Sequence, residues 1–409
     1  MSKARLREPD PDEERRLRND VTMNILYIAP DVPVPHTGEF LGGSTHVLKV
    51  AESLARRGCE VFIISRRMRG QRKYERISER IATRRIYRGL VLPIGGAGRS
   101  GSGEKKNSSK FFENLYFIFY RIILTFYVSL ILCRRDFDLV VERNSAKCIG
   151  VLPAKIFGVK AVVEVIDTDF SRLQLKLADK ILAYTKNIIP KEFHDKVVLT
   201  HAGVDAKFKP VDAGEVREKY RLEGKKVVVY VGEMSEWHGA DMLLDIAERL
   251  KEGVKFLLLG KQLEKLRGAA EERGVADKFV FVGFVKHEEM PEFISAADVG
   301  IAPYKPSEEM KKHGFYFSPI KIFEYMACGK PVVASDLEII RDIINEKQCG
   351  LLAKPEDVED FAEKIRMLLE DEALRKRFGD NGRNAVLRKY SWDKVAEKIC
   401  NAFNGLNSG

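Results

Sequence analysis

The chain has 409 residues, 45% hydrophobic and 32% charged, a composition that excludes a disordered or collagen-like protein and allows more than one core. Six cysteines (59, 133, 148, 328, 349 and 400) form no C-x-x-C pair, so neither a disulfide framework nor a zinc site is indicated, and reduced thiols in a cytoplasmic protein are expected. The net charge of +10 is uneven: residues 1–210 carry 38 Lys and Arg against 24 Asp and Glu (+14), and residues 211–409 carry 32 against 36 (−4). An anionic partner for the first half is expected, with a solvated basic surface as the alternative. No helix-turn-helix, zinc-finger or RNP-type motif accompanies the charge, so a membrane surface or lipid phosphate is favoured over nucleic acid.

Residues 1–20 are charged throughout, without the apolar core of a signal peptide, and are expected to be a disordered leader. Ile25–Ala29 reads as a buried strand, followed by a loop rich in proline and glycine to Gly43. Ser44 is expected to open a helix that stops at Gly58, and Val61–Ser65 is the next strand. This β-loop-α-β unit begins a doubly wound domain, with further strands at 81–86, 138–142, 161–166, 181–184 and 197–199. The stretch 95–110 has the composition of a mobile loop. A second register starts at Lys226, with VVVYVG as a strand ending in Gly232. Strands at 254–260, 279–283, 299–303 and 332–334 follow, with helices between them. Two Rossmann-like units, 21–203 and 212–390, joined by GVDAKFKPVD, imply an α/β protein with an interdomain cleft. The terminal helix, 391–405, is placed to return to the first unit.

The sharpest chemical signal is HGFYFSPIKIFEYMACGKPVVASD, residues 313–336. Ser318 is a good N-cap, Pro319 suits the first helical position, and Gly329 stops the helix before Pro331. The helix is apolar on nearly every side except at Lys321 and Glu324, three apart and therefore on one face. A carboxylate in such a helix is costly unless it is hydrogen-bonded, and a vicinal diol such as ribose donates two hydrogen bonds. The helix N-terminus suits a diphosphate. Ser318 to Glu324 spans about 9 Å of helix, close to the reach from a diphosphate to its ribose hydroxyls. The structural alternative is a buried Lys–Glu pair.

These residues resemble the donor-binding block of glycosyltransferase family 4, whose members share the GT-B fold of two Rossmann-like domains. The resemblance implies that Glu324 binds the ribose hydroxyls, and that Ser318, Pro319, Ile320 and Lys321 surround the donor phosphates. Tyr316 stands where the family's E-x7-E pair has its first glutamate. YVGEMSEWHGADMLL resembles the family's phosphate-clamping G-R-x…K-G block, but Glu233 and His238 replace the two cations. The burden then shifts to Lys321, with His238 as a second contact and Lys261 in reserve. FVFVGFV resembles the stretch that packs the base, which implicates Gly283, Phe284 and Val285. HAGVD (201–205) resembles the family's hinge. In the first domain, Gly42–Gly43 resembles the G-G loop whose amides approach the donor, although a plain turn explains two glycines equally well. Arg143, in DLVVERNS, stands where a sugar-positioning histidine is common, and a surface ion pair is its alternative. Asp167 is placed to accept a hydrogen bond from the acceptor hydroxyl.

Asp167-Thr168-Asp169 also reads as a D-x-D metal motif, but the same spacing recurs at Asp136 and Asp10, so no metal or other cofactor is expected. For His36 and His46 a structural role is the expectation. Leu115–Cys133 is nearly continuous apolar sequence, nineteen residues interrupted by Arg121. Crossing a bilayer would separate strands of one sheet. Two readings remain for residues 111–135, a helix buried against the sheet or one resting at a membrane interface, the latter favoured by its encircling aromatics. The resemblance implies a retaining, metal-independent glycosyltransferase; the cysteines suggest the cytoplasm, and the basic first half and aromatic helix suggest a peripheral place on the inner face of the cell membrane. It would move sugar from a nucleotide-sugar donor to a glycan or lipid-linked acceptor. A sugar-nucleotide 2-epimerase and a donor-binding subunit of little activity are the alternatives.

Overall fold

The computed structural model describes residues 23–34, 42–68, 70–86 and 107–407; the expected leader, His36 and most of the 95–110 loop lie outside them. The chain divides into two compact units, one ending at Thr200 and resuming at Ala396, the other running from His201 to Val395.

The first unit contains β1 (Asn24–Pro33), α1 (Gly42–Arg56), β2 (Glu60–Arg66), β3 (Tyr74–Ser78), β4 (Ile81–Ile86), α2 (Asn107–Arg134) and β5 (Leu139–Arg143). It continues through α3 (Val151–Ile156), β6 (Lys160–Val165), α4 (Arg172–Leu177), β7 (Lys180–Ala183) and β8 (Val197–Leu199). The eight strands lie in the order β3-β4-β2-β1-β5-β6-β7-β8. All pairings are parallel except that of β3 with β4. The central strands are apolar runs such as Ile25–Ala29, buried on both faces as a parallel sheet demands. Edge strand β3 escaped sequence reading because its YERIS alternates burial and exposure over only five residues. Helix α1 begins at Gly42 rather than Ser44, so the two glycines form its first turn and not the preceding loop.

The second unit contains α5 (Gly214–Lys219), β9 (Lys226–Val231), α6 (Met242–Arg249), β10 (Val254–Leu259), α7 (Glu264–Glu272), β11 (Phe279–Gly283), α8 (Met290–Ser295) and β12 (Val299–Ala302). Then come α9 (Glu308–His313), α10 (Ile320–Ala327), β13 (Val332–Ser335), α11 (Glu338–Lys347), β14 (Gly350–Ala353), α12 (Val358–Glu370) and α13 (Glu372–Lys389). The last helix, α14 (Trp392–Asn407), starts here and belongs to the first unit from Ala396 on. There Arg57 pairs with Glu397 at 3.1 Å and Lys398 donates to the Leu199 carbonyl. The six strands are parallel, in the order β11-β10-β9-β12-β13-β14, a doubly wound arrangement whose strand order reverses beside β9.

Helix α10 is held to this sheet from two sides. The Tyr325 hydroxyl accepts the Val231 amide at 2.8 Å and faces the Ile301 carbonyl, spanning β9 and β12. Behind α10, helix α13 comes so close that a Cβ on Gly379 would lie 2.1 Å from the Gly329 carbonyl oxygen. Only glycine fits there without displacing the turn that ends α10. Replacing Gly379 with valine is therefore expected to cost about 1–3 kcal/mol in denaturant unfolding. Exposed Lys376→Ala on the same helix should stay within about 0.5 kcal/mol of wild type. Equal stabilities for the two variants would contradict the packing.

Candidate functional site

The candidate site in the second unit is built at the carboxyl ends of its strands. Strands β9 and β10 are each followed by a glycine, Gly232 (φ +153°) and Gly260 (φ +154°), and a Cβ on Gly260 would lie 1.8 Å from the Gly232 carbonyl oxygen. This bare corner leaves room for Lys321: a Cβ on Gly232 would come within 2.7 Å of its Nζ. The Lys321 ammonium is buried, 4.5 Å from the Tyr230 ring centroid and 5.0 Å from that of Tyr304, and has no hydrogen-bond partner among the described residues. Three N–H donors without an acceptor are costly unless an anion arrives. Burial brings its pKa down to about 7, against the opposing pull of the Glu324 carboxylate.

Lys321 and Glu324 lie on one face, but they are not the ion pair weighed as the alternative. Glu324 is 6% exposed, and its Oε1 meets His287 Nε2 at 3.1 Å. The His287 ring packs against Phe208, with centroids 4.9 Å apart. A carboxylate offers about four lone-pair positions, of which His287 takes one. Nothing in the local sequence marked His287; it stands four residues beyond Gly283, where β11 ends and the chain turns back toward the site. Tyr230 and Tyr304 were missed because each reads as an ordinary strand-end aromatic.

The start of α10 differs from expectation. Pro319, not Ser318, is the N-cap, with φ −80° and ψ 66°. The Ser318 hydroxyl accepts the Ala202 amide at 3.0 Å, which ties the HAGVD segment to the head of the helix. The amides of Ile320 and Ile322 bond the carbonyls of Ser318 and Pro319. Fewer amides are thus open to a diphosphate than a side-chain cap would leave, and more of the task falls on Lys321. His238 supplies no cation. Burial, reinforced by the nearby Lys321 ammonium and opposed by the Glu233 carbonyl, holds its pKa down to about 3. It is a neutral imidazole whose Nδ1 lies 2.9 Å from the Ser235 hydroxyl and whose ring lies tilted against Trp237, centroids 3.8 Å apart. Trp237 stacks in turn on Phe317, centroids 5.1 Å apart. Gly283 (φ +88°) ends edge strand β11, Val285 turns inward, and half-exposed Phe284 lies under the Lys261 ammonium.

In the first unit, Arg143 ends β5 as a buried side chain, not as a surface ion pair. Its Nε and Nη1 have no hydrogen-bond partner, and its Nη2 would lie 3.8 Å from a Cβ on Gly43, in the first turn of α1. Nearby, the Tyr27 hydroxyl donates to Glu164, whose other oxygen meets His46 at 3.3 Å; His46 is thereby structural, as expected. Burial alone would raise the Glu164 carboxyl, but His46, Tyr27 and Arg143 outweigh it and hold it below the usual range. Asp167 is committed locally, its Oδ1 accepting the Asn144 side-chain amide at 2.5 Å and the Asp169 amide at 2.8 Å. The Asp169 carboxylate pairs with Lys147. Arg143 and Gly43 come together; Asp167 stands one strand further, after β6.

Comparison with known proteins bears on the family resemblance and the fold. Residues 212–385, essentially the second unit, match the family model described as glycosyl transferases group 1. The chain is 27% identical over 200 residues to alpha-D-kanosaminyltransferase of Streptomyces kanamyceticus, covering 47% of this chain and 49% of that protein. It is 28% identical over 236 residues to the GDP-mannose-dependent alpha-(1-6)-phosphatidylinositol monomannoside mannosyltransferase of Mycobacterium tuberculosis, covering 55% and 60%. These alignments span about half the length of the curated relatives. Among solved structures, sucrose-phosphate synthase from Thermosynechococcus elongatus superposes with a TM-score of 0.68 at 20% identity, over 94% of this chain and 99% of that one. Residues 212–385 are thus similar to the glycosyl transferases group 1 family, in a chain with the two-domain GT-B fold.

Proposed function

We propose that the protein is a retaining glycosyltransferase that moves a sugar from a nucleoside-diphosphate sugar to an acceptor hydroxyl without a resident metal. One observation carries this reading: the Lys321 ammonium is buried without a hydrogen-bond partner at the glycine corner that ends β9. As the bond from the anomeric carbon to the diphosphate breaks, its electron pair stays on the leaving oxygen. A cation already fixed at that position stabilises the developing charge more than it stabilises the bound donor. Glu324, three residues along the same helix, accepts hydrogen bonds from the ribose diol while His287 orients its carboxylate. Neutral His238 contributes hydrogen bonding to the donor, and Gly283–Val285 pack the base. In the first unit, Arg143 beside the Gly42–Gly43 turn would receive an anionic group.

A lipid-linked or membrane glycan is the acceptor class we favour, placing the enzyme on the cytoplasmic face of the membrane. The relative named for phosphatidylinositol monomannoside and the basic first half support this choice. The donor is to be chosen by thermal shift among UDP-, GDP- and ADP-sugars, with and without EDTA. With that donor, Glu324→Ala is expected to raise KM, and Lys321→Ala to lower kcat by about 10²-fold. Wild-type rates in both variants would remove the site.

The pH dependence follows from the depressed lysine. Lys321 is an ammonium below pH about 7 and increasingly an amine above it. A bound diphosphate favours the ammonium, so at higher pH binding must draw a proton from solution. Affinity for the nucleoside diphosphate should then fall by up to about tenfold per pH unit between pH 7 and 9. Calorimetry is expected to find this slope, with proton uptake, in the wild type and neither in Lys321→Met; a level wild-type profile would exclude Lys321 from the diphosphate.

A further inference from the structure

Helix α2 carries two different faces. Leu124, Val128 and Leu132 are buried against the first unit, whereas Ile118, Phe119, Ile122, Ile123 and Phe126 are 52–68% exposed. Their spacing marks one continuous outer stripe of a helix. Helix α3 packs beside α2 and adds exposed Leu152, Ile156 and Phe157, with Ile156 at 69%. At roughly 200 Å² for a large side chain, these eight expose on the order of 900 Å² of apolar surface. A soluble monomer's largest patch is typically about 300–600 Å².

The charges say what covers this surface. From residue 114 to residue 135 there is no Asp or Glu, and Arg134 and Arg135 are exposed where the stripe ends. Arg84 flanks the helix, 5.2 Å from the Tyr127 ring centroid. Arg121, the cation that interrupts the apolar run, is half-buried, unlike the residues of the outer stripe. Apolar and aromatic residues rimmed by arginine match an anionic bilayer, with side chains entering the acyl boundary and guanidinium groups meeting lipid phosphate. Residues 117–134 are long and apolar enough to cross a membrane by length and composition. Yet β4 and β5, the strands before and after α2, belong to one sheet, so the helix lies along the surface instead of through it.

We infer that α2 and α3 together form an interfacial platform that docks the first unit on an anionic lipid surface. The inference deepens the membrane-acceptor reading and rests on it for its biological sense, whereas its test needs neither donor nor acceptor. Purified full-length protein is mixed with phosphatidylcholine vesicles with and without phosphatidylglycerol, then sedimented at low and high salt. The wild type is expected to bind the anionic vesicles at least about tenfold better at low salt and to be released by high salt. The double variants I122E/F126E and I156E/F157E should each lose at least about tenfold in binding, with unchanged melting temperature and donor-induced thermal shift. R134E/R135E should remove the preference for anionic lipid. The platform is refuted if the wild type stays in the supernatant, or if both apolar variants pellet like wild type. It is also refuted if light scattering finds a dimer that I122E/F126E dissociates, because a second copy then covers the stripe. Wild-type protein that shows the donor shift but fails to bind vesicles would sink the docking and leave the transferase reading standing; the reverse would sink only the latter.

Discussion

A buried ammonium with nothing to bond is the constraint around which the second unit is arranged. Placing Lys321 at the end of β9 requires glycine at 232, and keeping that glycine's carbonyl in place requires glycine again at 260 on the next strand. It also requires aromatic walls, Tyr230 and Tyr304, whose ring faces partly compensate the charge. Burial of this kind costs several kcal/mol on the order-of-magnitude scale of buried charges, and the lowered pKa is the same cost expressed as proton affinity. Such strain persists where the surroundings over-determine it, and α10 is over-determined. Tyr325 ties it to two strands, Ser318 fixes its head to the 201–205 segment, and Gly379 lets α13 press on its tail.

The separation of Lys321 from Glu324 is the second consequence. Had they paired, the helix would present a neutral surface. Instead the lysine serves the glycine corner and the glutamate serves His287, so one turn of helix offers a donor and an acceptor to a ligand with anionic phosphate and a sugar diol. Neutral His238 fits the same logic. A second cation in that space would further lower the proton affinity of the first.

Much of this was legible in the sequence where a residue broke a strong local rule. Lys321 and Glu324 stood out because the rest of their helix is apolar, and Gly232 because it ends a buried strand. The strands of both sheets could be read from their continuous apolar runs, apart from short β3 and β14. What stayed hidden depended on partners distant in sequence. The Ser318 hydroxyl is claimed by an amide 116 residues away, so a good capping residue does not cap. His287 meets its carboxylate 37 residues on, and Arg143 reads as a surface cation until β5 and α1 enclose it. Charge state is equally non-local, as His238 shows.

The place of α2 in the sheet has one more consequence. Strand β4 pairs with β2 and β5 pairs with β1, so the ends of the excursion from Ile86 to Leu139 are pinned by strands that do not belong to it. Closing a longer excursion adds only about 0.6 kcal/mol per doubling of its length. Descendants of such a chain can lengthen, shorten or recolour this segment at little cost to the sheet, so its outer surface is free to diverge while the strand ends stay as they are.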